Sequence, residues 1–134
     1  MAPDRLFSLE EAQALLDGGL REQAERMVAL RREWKPLQRR WQGVVMAVAS
    51  NGGGLDMAAT EALRRRLESL TDDLNEIIRS ITEQGVQVKD VDQGLLDFPA
   101  VVEGEDALLC WHVGEEKIAF WHSPEDGFAG RRPL

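Results

Sequence analysis

Two stretches of the chain carry the same seven-residue beat of apolar side chains, and a run of glycines separates them. In the first, Leu20, Met27, Trp34, Trp41 and Val48 recur in phase, with Leu30, Leu37 and Val44 three residues behind members of that line. In the second, Leu63, Leu70 and Ile77 form one line and Leu67, Leu74 and Ile81 the other. Side chains three and four apart share one face of an α-helix, so each stretch presents a single apolar seam of the coiled-coil kind. Ser50-Asn51-Gly52-Gly53-Gly54 reads as the loop between them, and Asp56 as the N-cap of the second helix. Two such helices of matched length joined by a short loop must pair antiparallel. The second is expected to stop at Gly85, a left-handed residue beyond the last turn, with Val86 packing back.

The flanks of this hairpin are also readable. Ser8-Leu9-Glu10-Glu11 has the form of a capping box, which predicts a short N-terminal helix from Leu9 to about Leu16. Asp17-Gly18-Gly19 should interrupt it, because adjacent glycines weaken a helix and accept positive φ. Pro36 lies inside the first seam and removes one intrahelical amide bond. The apolar beat passes through it in phase, so a kink near residues 32–36 is expected and not a break.

The last third changes period. Leu95–Ala100, Ala107–Val113 and Lys117–His122 are strand-length runs bounded by turn residues, with Glu103-Gly104 as a two-residue turn and Gly114-Glu115-Glu116 as a three-residue one. In that register Phe98, Leu109 and Trp121 line up beside Leu96, Trp111 and Ala119, a wholly apolar face that should pack on the helices. The other face carries Leu95, Asp97, Leu108, Cys110, His112, Ile118, Phe120 and His122, too apolar for water. Its cover must come from the tail Phe128–Leu134, from Val86–Gln93, or from a second subunit. A two-fold homodimer is the economical choice. The expected fold is therefore α+β: a long antiparallel helical hairpin with a short N-terminal helix, packed on a C-terminal three-stranded antiparallel β-meander. Residues 1–134 form one domain, with 1–85 the helical part and 86–134 the meander and tail.

Composition bounds the function. The chain has 134 residues, 43% hydrophobic and 30% charged, a globular balance able to bury a core without staples. A lone cysteine, Cys110, excludes an internal disulfide. Met1-Ala2-Pro3-Asp4-Arg5 lacks the basic start and apolar run of a signal peptide, and no window is long and apolar enough to span a bilayer, which predicts a cytoplasmic protein. Net charge is −8 but unevenly spread: residues 21–66 hold ten Lys/Arg against five Asp/Glu, and residues 67–130 hold three against fifteen. An acidic protein repels nucleic acid and anionic membranes as a whole, yet a polarised one can present a basic face.

Three groups of residues carry chemistry. Cys110, His122 and Asp97 fall together on the second sheet face, with His112 on the same side; a thiol beside an imidazole and a carboxylate supplies the parts of a nucleophilic or metal-assisted site. The same residues also read as a small buried hydrophobe with locally bonded histidines. The two histidines stand roughly 13 Å apart at about 3.3 Å per strand residue, so one metal ion cannot take both, and Asp90, Asp92 and Asp97 fit no calcium loop. His122 and Asp126, across the Ser123-Pro124-Glu125-Asp126 turn, are the remaining metal-ligand pair. The third group is basic. With the hairpin centred near residue 52, Arg39 and Arg40 lie level with Arg64, Arg65 and Arg66, and their forked donors suit phosphate or other anions. Trp34 and Trp41 occupy seam positions and read as core and not as base-stacking platforms, and Glu33 and Glu61 dilute the patch. Pairing with acidic groups of a partner is therefore favoured over nucleic-acid binding.

Several segments together resemble a known family. They are Phe7-Ser8-Leu9-Glu10-Glu11-Ala12, the stretch Gly85-Val86-Gln87-Val88-Lys89-Asp90-Val91-Asp92-Gln93-Gly94-Leu95-Leu96-Asp97-Phe98-Pro99-Ala100, Leu108-Leu109-Cys110-Trp111-His112-Val113-Gly114-Glu115, and Phe120-Trp121-His122 running into Asp126-Gly127-Phe128-Ala129-Gly130-Arg131. The chain is similar to the prokaryotic family known as domain of unknown function 2203, over essentially its whole length. That resemblance implies no activity, cofactor or catalytic residue. From the residues themselves the expectation is a non-catalytic interaction or scaffold protein without a cofactor, acting as a homodimer and docking a protein partner through the hairpin. A small enzyme built on Cys110, His122 and Asp97 is one alternative. An anion-binding or nucleic-acid-binding module using the arginine patch is the other.

Overall fold

The computed structural model describes residues 5–51 and 56–134. Helix α1 (Leu9–Leu15) begins with both halves of the capping box in place. Ser8 Oγ accepts from the Glu11 amide at 3.1 Å, and Glu11 Oε1 accepts from the Ser8 amide at 3.0 Å. The glycine pair interrupts the helix as expected: the chain kinks within Leu16–Leu20, the Arg21 amide reaches the Leu16 carbonyl across the kink, and α2 (Arg21–Asn51) follows directly. Gly19, at φ 132° and ψ −19°, absorbs the bend at a conformation closed to residues with a Cβ. The short N-terminal helix is thus set off from α2 by a kink and not by a loop.

Helix α3 (Met57–Glu83) starts at Asp56, whose carboxylate accepts from the Ala59 amide at 3.1 Å. It buries Leu63, Leu67, Leu70, Leu74, Ile77 and Ile81, the six seam residues of the sequence pattern. It ends at Gln84, with Gly85 left-handed and Val86 buried. The two long helices pack antiparallel. Gln23 Nε2 donates to Ser80 Oγ at 2.9 Å near one end, and Trp34 Nε1 to Thr71 Oγ1 at 2.8 Å further along. Helix α2 runs through Pro36 without a break. The glycines of the expected loop, Gly52–Gly54, and the leader reading of Met1–Asp4 lie outside the described residues. The α2 seam is packed unevenly: Leu20, Met27 and Leu30 are buried, Trp34, Leu37, Trp41 and Val44 half-buried, and Val48 exposed. No helix among the described residues is long and apolar enough to cross a membrane.

The sheet has five antiparallel strands and not three, in the order β1 (Gln87–Asp90), β2 (Leu95–Val102), β3 (Glu105–His112), β4 (Phe120–His122), β5 (Arg132–Pro133). Strand β1 is short and polar on alternate positions, and β5 contains a proline, which belongs on a sheet edge. Neither gives a strong strand signal. Glu103 and Gly104 both take positive φ, 52° and 81°, the geometry of a type I′ turn between β2 and β3. The three-residue turn expected at Gly114-Glu115-Glu116 is instead a loop over residues 113–119, and β4 is correspondingly shorter. Tertiary bonds hold that loop off the ladder: the Ile118 amide donates to Gln13 Oε1, Arg21 Nη2 to the Glu116 carbonyl, and Trp111 Nε1 to the Glu115 carbonyl.

One sheet face, with Leu96, Phe98, Ala100, Leu109 and Trp111, packs on Leu16, Leu20, Met27, Leu74, Ile77 and Ile81. Ile118, assigned to the opposite face by the sequence pattern, joins this core through the loop. The second face is not open. Asp97 is 1%, Cys110 0% and His122 4% exposed within a single chain, and Leu95 and Leu108 are buried beside them. The tail after β4 turns back, adds β5 along the β4 edge, and anchors the Leu134 amide to the Ala119 carbonyl at 2.9 Å. The uncovered face that argued for a dimer is therefore absent.

Candidate functional site

Antiparallel register brings the polar group of the second face together. Asp97 on β2 pairs with Cys110 on β3, Cys110 with Phe120, and Leu108 with His122 on β4. Cross-strand and diagonal neighbours on one face are within side-chain reach. One donor atom from each of Asp97, Cys110 and His122 lies within 4.8 Å of the other two. His122 Nε2 stands 3.0 Å from Asp97 Oδ2, and His122 Nδ1 stands 2.8 Å from the Ser123 carbonyl. A carbonyl oxygen only accepts, so Nδ1 carries a proton and donates to it. Nε2 faces the Asp97 carboxyl oxygen at hydrogen-bonding distance, so one proton lies between the two buried groups. Asp97 Oδ1 is buried with no hydrogen-bond partner among the described residues.

This geometry does not make a nucleophile. In a thiol–imidazole pair one ring nitrogen faces the thiol and takes its proton. Here both ring nitrogens of His122 are engaged elsewhere, one by Asp97 and one by a backbone carbonyl. Burial pushes the Cys110 thiol up to about 12; the neighbouring Asp97 charge adds to this and Arg131 partly opposes it. The thiol is protonated and shielded at neutral pH.

His112 does not join the cluster. Its Nδ1 lies 2.9 Å from the Val113 carbonyl, its Nε2 lies 3.7 Å from Glu115, and its ring meets the edge of Phe128. The pairing of His122 with Asp126 is not formed either: Asp126 is exposed, with its amide on Ser123 Oγ at 3.2 Å, while the His122 ring turns inward to Asp97. Asp90 closes its own turn by accepting from the Asp92 and Gln93 amides, and Asp92 takes Arg31 and Lys35, both at 3.0 Å.

Sequence reasoning missed Arg131. Its guanidinium lies 4.1 Å from the Phe120 ring centre and 4.7 Å from that of Phe128, and its Nη2 reaches both oxygens of Glu115 at 2.7 and 2.8 Å. The same Nη2 is 3.5 Å from the Cys110 carbonyl, so this group caps the cluster from the tail. Only the spacing of Phe120, Phe128 and Arg131 hinted at it, and long-range stacking has no period in sequence.

The basic patch is largely neutralised. Arg64 pairs with Glu61 and Glu68, Arg65 with Glu61 at 3.2 Å, and Arg66 with Glu33 at 2.8 Å. Hydrogen bonding from Arg64 holds the Glu61 carboxyl down at about 2. Arg39 and Arg40 are exposed and form no ion pair among the described residues; Arg40 lines a groove with Val44, Thr60 and Leu63.

Comparison with known proteins adds a family and no activity. No curated protein and no solved structure matches the chain. A family model described as "Uncharacterized conserved protein (DUF2203)" matches residues 5–134, nearly the full length, and the chain belongs to that family.

Proposed function

We propose that this chain is a non-catalytic interaction protein that works as a homodimer, with the distal part of the α2–α3 pair as its docking arm. The observation that carries this reading is the burial along α2. From residue 31 to residue 50 no α2 side chain is buried, although the apolar seam continues through Trp34, Leu37, Trp41 and Val44. At the far end Met46 is 71% and Met57 76% exposed, with Val45 and Val48 exposed beside them. A solvated stalk needs no apolar seam, and contiguous exposed apolar surface marks an interaction site. Two helices with a half-filled seam are completed by two more of the same kind, which a two-fold axis supplies as a four-helix arrangement.

Charge supports a second copy as the occupant. Arg39 and Arg40 are exposed just past the middle of α2, and Asp72, Asp73 and Glu76 lie toward the base of α3. An antiparallel two-fold docking sets the one group against the other. The free buried thiol of Cys110 suits a reducing compartment, and the reading accordingly places the protein in the cytoplasm.

Sedimentation velocity on the full chain at micromolar concentration tests this. A species of twice the 15.0 kDa chain mass is expected. Met46→Glu with Met57→Glu, both at exposed positions, should return it to the monomer with unchanged circular dichroism. A wild-type monomer throughout the micromolar range would refute the proposal.

A further inference from the structure

We propose that Asp97, Cys110 and His122 form a binding site for one borderline divalent cation of the zinc class, held by a carboxylate oxygen, Sγ and Nε2. Three features of the cluster converge on this. First, the donor atoms come from adjacent strands in fixed register and already lie within 4.8 Å of one another. Ligands about 2.0–2.3 Å from a tetrahedral ion are separated by about 3.3–3.8 Å, so small side-chain adjustments suffice. Second, the Nδ1–H of His122 donates to the Ser123 carbonyl, which fixes the ring and leaves Nε2 as the atom that faces the other donors. A metal-ligating histidine is commonly held in this way, with its second nitrogen on a backbone carbonyl. Third, Asp97 Oδ1 is a buried acceptor with no hydrogen-bond partner among the described residues, a costly condition in a dry interior unless something electropositive sits beside it.

The donor set selects the ion. Thiolate and imidazole disfavour magnesium and calcium, which require oxygen ligands, and suit zinc or cobalt. The charges also close. A dication with one thiolate, one carboxylate and one neutral imidazole sums to zero, as burial demands. Binding displaces two protons to solvent, the thiol proton of Cys110 and the one shared between His122 Nε2 and Asp97, and the ion takes the place of both. Arg131 stands close by, but Glu115 neutralises it through two bonds, so it does not repel the ion. The three side chains leave a fourth coordination position unassigned by the chain. Because the cluster lies under the tail, the ion enters during folding or through opening of the short β5 edge.

The test is refolding of the full chain with cobalt(II). The expected result is one cobalt per chain, with the intense visible bands of tetrahedral cobalt and a near-ultraviolet thiolate-to-cobalt band. Cys110→Ser should abolish the thiolate band, and His122→Gln should weaken binding at least about tenfold, each read on protein whose circular dichroism matches wild type. Zinc should displace cobalt at one equivalent. Wild-type protein that refolds to its native dichroism yet leaves cobalt with the weak spectrum of the hexa-aqua ion would overturn the site, whatever the variants do. Cobalt bound by Cys110→Ser as tightly as by wild type would overturn it as well.

Discussion

His122 Nε2 and Asp97 Oδ2 lie 3.0 Å apart in a region where both side chains are nearly inaccessible to water. A pair of this kind contributes little compared with an apolar replacement of both partners, but removing one partner alone leaves a buried uncompensated group. In metal-free protein, Asp97→Ala is expected to cost about 3–5 kcal/mol in urea unfolding. Asp97→Asn keeps the shape and an acceptor, and it should cost about half as much or less. Equal losses in the two variants would show that packing, and not the polar pair, sets the stability of this corner.

In metal-free protein Cys110 gives a prediction in pH. Its folded value is about 12, above the usual range near 9 for a free thiol. Between those two values the folded chain still holds a proton that the unfolded chain has released. Unfolding is therefore favoured as pH rises, and this contribution to stability is complete below about pH 9 and is lost progressively toward 12. Cys110→Ala should flatten that part of the stability–pH curve. At neutral pH iodoacetamide should label Cys110 at least about 100-fold more slowly than in urea, at the rate at which the structure opens. Fast labelling of native protein would contradict both the burial and the raised thiol value.

Much of this arrangement is legible in the sequence for identifiable reasons. The six α3 seam residues are a strict heptad, and a heptad names the face that is buried. The register that pairs Asp97 with Cys110 follows from a two-residue turn at Glu103-Gly104 and from the period of a strand, both local properties. What was not legible depends on distant partners. Periodicity along α2 marks Trp41 and Val48 as seam residues but says nothing about whether anything stands opposite them. The loop over residues 113–119 is held by Gln13 and Arg21, about a hundred residues away in sequence, and no local turn rule anticipates that. The tail is one of the expected covers of the second sheet face but a short one, and nothing local shows that β5 would pair along β4 and bring Arg131 over Cys110.

Gly94 closes the turn between β1 and β2 at φ 64°. A Cβ there would run into Val113 Cγ2 and come within 2.9 Å of Val28 Cγ2, the latter on α2. Both the left-handed backbone and the contact oppose a side chain. Gly94→Ala should cost about 1–2 kcal/mol for conformation and about 1–3 kcal/mol for overpacking. The double variant with Val113→Ala should recover the share of the second part that comes from Val113 Cγ2, leaving the first and the contact with Val28. Measured urea midpoints that move equally in the single and double variants would show that the contact with Val113 is not the source.

Arg131 should behave as a buried stacking cation and not as a surface charge. Its side chain is 13% exposed and that of Glu115 17%, and Phe120 and Phe128 enclose the guanidinium. Glu115 Oε1 also accepts from the His112 amide at 2.9 Å, so the pair ties the tail to the end of β3. Arg131→Ala removes the stacked cation and strands the Glu115 carboxylate, at an expected cost of about 2–3 kcal/mol after allowance for the remaining solvent contact. Arg131→Lys restores the charge without the planar fork and should recover about half of that loss. Sodium chloride at about 1 M would erase the difference if the pair were a screened surface contact, and should leave most of it if the pair is buried. Urea unfolding of the three proteins at low and high salt decides between these, and a loss below about 0.5 kcal/mol in Arg131→Ala would mean the tail is not anchored by this residue.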